Sequence, residues 1–144
     1  MNDPFLWAVD TSVAIPYVMA NHPAHQAVDR AVAGRVLHLS GHAHVETYAV
    51  LTRLPGTSRL TPLDACRLID ANFRSTLVAP LSIQASAPST LAHAGIAGGA
   101  TYDGLVALAS KAHGAILLTR DARALTTYQR IGVEVEVLSA TDVT

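Results

Sequence analysis

The stretch Gly98-Gly99-Ala100-Thr101-Tyr102-Asp103-Gly104-Leu105, continuing through Lys111-Ala112-His113-Gly114 to Leu117-Leu118-Thr119-Arg120-Asp121, decides how the chain is read. After the Gly pair, Thr101 offers an N-cap hydroxyl, and Leu105, Val106, Leu108 and Ala109 follow at helical spacing to Gly114, a C-cap glycine. Ala115-Ile116-Leu117-Leu118 is then a short apolar run of the kind found in strands buried on both faces. Helix, tight turn and strand follow one another, with Asp103 at the helix entrance and Asp121 just past the strand exit. In a parallel α/β sheet the strand exits line the crevice where ligands bind, so the two aspartates are expected near one another.

Working outward, the same alternation repeats. Leu6-Trp7-Ala8-Val9 is an apolar strand ending at Asp10, and Thr11 and Ser12 supply cap hydroxyls for a helix to about Met19, with Pro16 near its first turn. Further helices are expected over 22–33, 41–54 and, with Pro62 at its first position, 61–73. Strands are expected at 36–39 and 76–78. The segment 82–96 reads as a weak helix interrupted at Pro88, and after Asp121 a helix runs to about Arg130, ended by Gly132. Val133 to Leu138 alternates as a closing edge strand. Repeated βα units predict an α/β fold, three layers deep, around a mostly parallel sheet, with residues 1–144 as a single domain.

Composition bounds the function. Half of the 144 residues are hydrophobic, and mean hydropathy is +0.30. No apolar run approaches the roughly 20 residues of a membrane span, and the chain lacks the basic start of a signal peptide. The apolar surplus points to a protein interface. A single cysteine, Cys66, excludes a disulfide framework and a Cys-based metal site, so a cytoplasmic setting is expected. It reads as a small core residue, like Trp7 and Phe73. A net charge of −1 carries no bulk field for nucleic acid, which leaves that role to local basic residues. With only 5% aromatics, base stacking along a strand is not the expected binding mode.

Four acids stand out from the eleven. Asp10 and Asp121 follow strands, Asp103 opens a helix, and Glu46 lies inside an apolar helix among Val45, Tyr48, Ala49 and Val50. Singly, each has an ordinary reading as a cap, a dipole partner or a solvated position. Together they would repel: two carboxylates about 4 Å apart cost roughly 4 kcal/mol at an effective dielectric near 20. Such a set needs protons or a cation. Oxygen ligands without cysteine suit Mg²⁺ or Mn²⁺, which activates water and stabilises in-line displacement at phosphorus. Arg53, Arg120 and Arg123 are the basic residues nearest the acids in sequence and are candidates for RNA phosphates, Arg123 foremost. His42 and His44, two apart on a helix, do not face each other and read as surface residues.

Asp10-Thr11-Ser12-Val13 after an apolar strand, Glu46 followed by Leu51-Thr52-Arg53-Leu54-Pro55-Gly56, Tyr102-Asp103-Gly104-Leu105-Val106, and Leu118-Thr119-Arg120-Asp121-Ala122-Arg123 together resemble a PIN domain. The closest likeness is to the VapC type of ribonuclease toxin from bacterial toxin–antitoxin pairs. The resemblance spans the chain in order, ending in Tyr128 and Gly132 before the last strand. It implies a PIN-like αβα fold, an Mg²⁺- or Mn²⁺-dependent endoribonuclease, a cognate VapB-type antitoxin, and a homodimer or larger assembly. By position, Asp10, Glu46, Asp103 and Asp121 match the family's acidic quartet, Thr11 or Ser12 the hydroxyl residue beside the first Asp, and Thr119 the one before the last. Pro16 and Gly104 depart from the commonest pattern at packing positions.

Two other classes are weighed against this. A receiver-type phosphoacceptor also gathers aspartates at strand exits, but it needs an acidic pair after its first strand and a lysine at a later strand end. Here Asp10 stands alone, and the sole lysine, Lys111, lies inside a helix. A PIN-fold binding module without catalysis would be expected to lack one of the four acids.

Overall fold

The computed structural model describes residues 3–138 and builds a five-stranded sheet in the order β3-β2-β1-β4-β5, every pairing parallel. The strands are β1 (Trp7–Val9), β2 (Leu37–Ser40), β3 (Thr76–Leu77), β4 (Ile116–Thr119) and β5 (Glu134–Val137). Val9 pairs with Leu39 on one side and Leu118 on the other, which places the exits of β1, β2 and β4 level with one another. Strand order reverses about β1, because β2 and β3 extend from one side of it and β4 and β5 from the other. The crevice beyond β1 and β4 is therefore the topological switch point.

Seven helices, among the described residues, cover both faces: α1 (Thr11–Val18), α2 (His25–Ala31), α3 (Ala43–Thr52), α4 (Pro62–Asn72), α5 (Leu81–His93), α6 (Ala100–Ala112) and α7 (Leu125–Ile131). The pleat sends alternate residues to opposite layers. Val9, Leu37, Leu39 and Leu118 join Val13, Val28, Leu51 and Ile69 under α1 to α4, whereas Ala8 and Leu117 join Leu91, Ala107 and Tyr128 under α5 to α7. This is the three-layer αβα arrangement, with the sheet wholly parallel. No helix among the described residues is long and apolar enough to cross a membrane.

Several local expectations are corrected. The helix at the centre of the sequence reading starts at Ala100, with Gly99 and not Thr101 at its N-cap, because Gly98 at φ +61° turns the chain and its carbonyl receives the Thr101 N–H. Pro88 does not interrupt α5, which runs unbroken from Leu81 to His93. Pro16 lies inside α1, beyond its first turn. The helix expected from residue 22 begins only at His25, since the His22 ring takes the Ala24 N–H and holds the preceding turn. Cys66 is exposed: α4 buries Ala65 and Ile69, and Cys66 is rotated off that stripe. Trp7 is only partly buried, covered by the Arg35 guanidinium 4.1 Å from its ring centroid, while Phe73 is core as expected.

Two glycines set the geometry near the sheet's exit. Gly41 follows β2 at φ +49°, and a Cβ there would stand 2.7 Å from the Ala109 Cβ, so only glycine lets the chain turn this close to α6. Gly104 lies where a Cβ would meet Leu91 Cδ2 at 2.4 Å. The Leu91 side chain from α5 occupies that space, which gives the departure at position 104 its packing reason.

Candidate functional site

Asp10 stands at the exit of β1 as the N-cap of α1 and is only 5% exposed. Burial pushes its carboxyl above the usual range, and four donors act against that shift. Ser12 Oγ donates to Oδ1 at 2.5 Å, where the Val13 N–H also points at 3.3 Å. Thr119 Oγ1 and the Tyr128 hydroxyl donate to Oδ2 at 2.5 and 2.7 Å. The hydroxyls are themselves held from behind. Arg120 N–H donates to Ser12 Oγ at 2.8 Å, and Asp121 N–H to Thr119 Oγ1 at 3.1 Å. The loop leaving β4 thus grips the first strand's carboxylate through two side-chain hydroxyls.

Of the two hydroxyls following Asp10 in sequence, the structure selects Ser12 for this contact; Thr11 begins α1 half-buried. Tyr128 is the residue that sequence reasoning did not assign to the site. It is 1% exposed, and burial and the neighbouring Asp10 push its phenol above its ordinary value. A buried tyrosine needs a partner for its hydroxyl, which was the available signal, but nothing local named an aspartate 118 residues away.

The other three acids surround this nest. Asp103 lies in the first turn of α6, Glu46 in the first turn of α3, and Asp121 two residues past β4, all half-buried. Burial raises the Asp103 carboxyl first, and the charges of Asp121, Asp10 and Glu46 raise it further, against a smaller opposing pull from Arg123. Asp10, Glu46 and Asp121 are therefore all within electrostatic reach of Asp103. They are not drawn into coordination contact: no group of three or more His, Cys, Asp or Glu side chains among the described residues could hold a metal ion as arranged.

The arginines divide. Arg123 is almost wholly exposed, its Nε 3.7 Å from Asp121 Oδ1, which also accepts the Arg123 N–H at 2.9 Å. Arg120 donates its backbone N–H to the nest, while its side chain acts on His22, whose ring burial and then the Arg120 charge hold below the usual pKa. Arg53 is the C-cap of α3 and is not among the charges acting on Asp103. His42 and His44 do not pair: buried Ala43 lies between them, His44 is exposed, and His42 stacks on Tyr102 with ring centroids 5.0 Å apart. Lys111 donates to the Ile131 carbonyl at 2.9 Å, tied to the end of α7, so it cannot serve as a receiver domain's strand-end lysine.

The chemistry of the donor set suits a hard divalent cation even though the carboxylates stand apart. The four acids are oxygen donors, Asp103 feels the charges of the other three, and Arg123 on Asp121 is the one salt-bridged cation on them among the described residues.

Comparison with known proteins agrees with this geometry. The PIN domain family profile matches residues 8–130. Ribonuclease VapC27 of Mycobacterium tuberculosis (strain ATCC 25618 / H37Rv) is 52% identical over 130 residues, covering 90% of this chain and 95% of the relative. Ribonuclease VapC40 of Mycobacterium tuberculosis (strain CDC 1551 / Oshkosh) is 44% identical over 133 residues, covering 92% and 98%. Among solved structures, VapBC2 from Rickettsia felis bound to a DNA fragment from their promoter superposes with a TM-score of 0.63 at 10% identity, covering 92% of this chain and 98% of that one, a likeness of fold. With a family match over most of its length and relatives sharing about half its residues, the chain belongs to the PIN domain family, beside the VapC ribonucleases.

Proposed function

We propose that this chain is a divalent-metal-dependent endoribonuclease, the toxin of a toxin–antitoxin pair, and that Asp10, Glu46, Asp103 and Asp121 form its catalytic centre. One observation supports this reading above the rest: Asp103, at the switch point of a parallel sheet, has its carboxyl raised by burial and then further by three other acids. The ribonuclease names of its relatives supply the substrate class.

Asp103 and Asp121, with Glu46 and Asp10 around them, would hold Mg²⁺ or Mn²⁺. When bound, the ion supplies Lewis acidity toward the phosphate and lowers the pKa of water. The chain's own groups do the rest. Ser12, Thr119 and Tyr128 fix the Asp10 carboxylate, so the site is preorganised on rigid strand exits. The carboxylates orient a water in line with the phosphodiester and accept its proton as the new P–O bond forms. The bond to the leaving ribose oxygen then breaks. Arg123, exposed beside Asp121, meets an adjacent RNA phosphate, with Arg120 and Arg53 as weaker candidates.

The partner is proposed to be a VapB-type antitoxin, as the VapBC structural neighbour suggests, with a homodimer or larger assembly around it. Support comes from the groove between α3 and α4, a cavity of about 360 Å³ walled by Val45, Tyr48, Cys66 and Ile69. Val45 is 56% exposed and Leu63 on α4 is 68% exposed. Such a groove fits the apolar face of an amphipathic segment.

Protein freed of antitoxin is expected to cut a structured RNA in Mg²⁺ or Mn²⁺, and to stop when EDTA is added. Asp103→Asn should lower the cutting rate by about a hundredfold or more, comparable to removing a key electrostatic group, while leaving the far-ultraviolet circular dichroism unchanged. Equal rates for wild type and variant contradict the catalytic assignment.

A further inference from the structure

The two elements that carry Glu46 and Asp103 also carry an aromatic pair that the catalytic chemistry leaves unused. His42, the N-cap residue of α3, precedes Glu46 by one helical turn, its carbonyl receiving the Glu46 N–H at 3.1 Å. Tyr102 precedes Asp103 in the first turn of α6. Their rings stack with centroids 5.0 Å apart and planes inclined by 25°. The pair is not core, since Tyr102 is 54% exposed. It is not a polar tether either: among the described residues, no hydrogen bond uses the Tyr102 hydroxyl or the His42 ring. The molecule's other tyrosines include Tyr128, bonded to Asp10, and Tyr17, packed at 5.9 Å on Phe73. A stacked pair whose tyrosine is this exposed, at two helix starts that carry acids, has ring surface left over for a further contact.

We propose that the His42–Tyr102 stack, carried on the two helix starts that also carry Glu46 and Asp103, is a nucleobase-stacking subsite that seats one base of an RNA strand beside the bond to be cut. The proposal rests on the ribonuclease reading above and adds where the substrate's base sits. Base–aromatic contact is a general way of holding a splayed nucleotide in single-stranded regions. Low aromatic content argues against a row of such platforms but not against one. His42, though not Tyr102, also lines a neighbouring cavity of about 370 Å³ whose walls include Gly41, His44, Leu105 and Leu108, a size usual for small-molecule pockets. The tight Gly41 turn against Ala109 fixes His42 at the mouth of this cavity. The subsite accordingly sets a flat ring surface, through His42, next to a recess of mixed but mainly apolar lining, chemistry that suits a base.

The test compares wild type, Tyr102→Leu and Tyr102→Phe on short single-stranded RNA, with His42→Leu as a second route to the same surface. Cleavage is followed in Mn²⁺, and binding is followed separately in EDTA by fluorescence anisotropy. Tyr102→Leu should raise KM and weaken binding by about fivefold to a hundredfold, the range for one stacked base, with kcat little changed. Tyr102→Phe should restore both. A single abasic site walked along the RNA should cost wild type at one position and cost Tyr102→Leu nothing there. If wild type cuts RNA but Tyr102→Leu shows the same KM, binding and abasic profile, the subsite is overturned and the ribonuclease reading stands. A loss of RNA affinity that only accompanies a change in oligomeric state, read from light scattering, overturns it equally. Wild type that neither binds nor cuts RNA removes both.

Discussion

Asp10 and Asp103 are the same side chain at the same end of the sheet, yet the fold treats them in opposite ways. Asp10 is buried and meets four hydrogen-bond donors, three of them hydroxyls held from β4, α1 and α7. Asp103 is half-buried, and the charged groups acting on it are three acids and, more weakly, Arg123. One carboxylate is completed by the protein, whereas the other is left in a field that only a proton or a cation relieves. The contrast carries the roles proposed above: Asp10 as the anchor of the site, and Asp103 as the position where binding energy from a ligand is still to be gained.

The sharpest way to break this contrast is to make one change at both places. Asp10→Asn replaces an acceptor by an amide whose N–H groups face Ser12, Thr119 or Tyr128, so donors meet donors in a buried nest. Thermal melts in EDTA are expected to show a loss of about 1–3 kcal/mol, the cost of leaving buried polar groups unpaired. Asp103→Asn removes repulsion and breaks no described hydrogen bond, so it is expected to stabilise the metal-free protein by less than about 1 kcal/mol after solvent screening. Losses of similar size in both variants would show that the two acids do not differ as described.

A smaller effect appears in pH. The folded carboxyl of Asp103 titrates above its ordinary value of 3.8, so the folded state binds this proton more tightly than the unfolded chain does. Its contribution to stability is present in full below 3.8 and is lost as pH rises through the raised folded value. Asp10, also raised, acts in the same direction. Melts in EDTA at successive pH values should therefore show wild type losing stability relative to Asp103→Asn as pH rises from about 4 toward neutrality. A difference between the two proteins that stays constant over that range would contradict the assignment.

Much of this arrangement was legible from residues alone because two physical signals agree. β1 and β4 are largely buried, so Trp7-Ala8-Val9 and Ile116-Leu117-Leu118 read as unbroken apolar runs, and a carboxylate directly after the first strand and two residues past the second points to the exit end of the sheet. What was not legible depends on partners distant in sequence. The Tyr128 hydroxyl finds Asp10 only once α7 packs under the sheet, and the His42–Tyr102 stack needs both α3 and α6 in place. Cys66 looked apolar in its local company, but one helical step separates it from the buried stripe of Ala65 and Ile69. Thr101 offers the right cap chemistry, yet the turn at Gly98 starts α6 one residue before it.

The central claim, that these carboxylates share a divalent-cation site, is tested most directly by the shift in melting that Mn²⁺ produces. Wild type should melt higher in millimolar Mn²⁺ than in EDTA, by the equivalent of about 2.7 kcal/mol when free metal is a hundredfold above Kd. Asp103→Asn, short of one ligand, should start slightly higher in EDTA and gain much less from the metal. Equal Mn²⁺ shifts in wild type and Asp103→Asn, or no shift in either, would contradict the shared site.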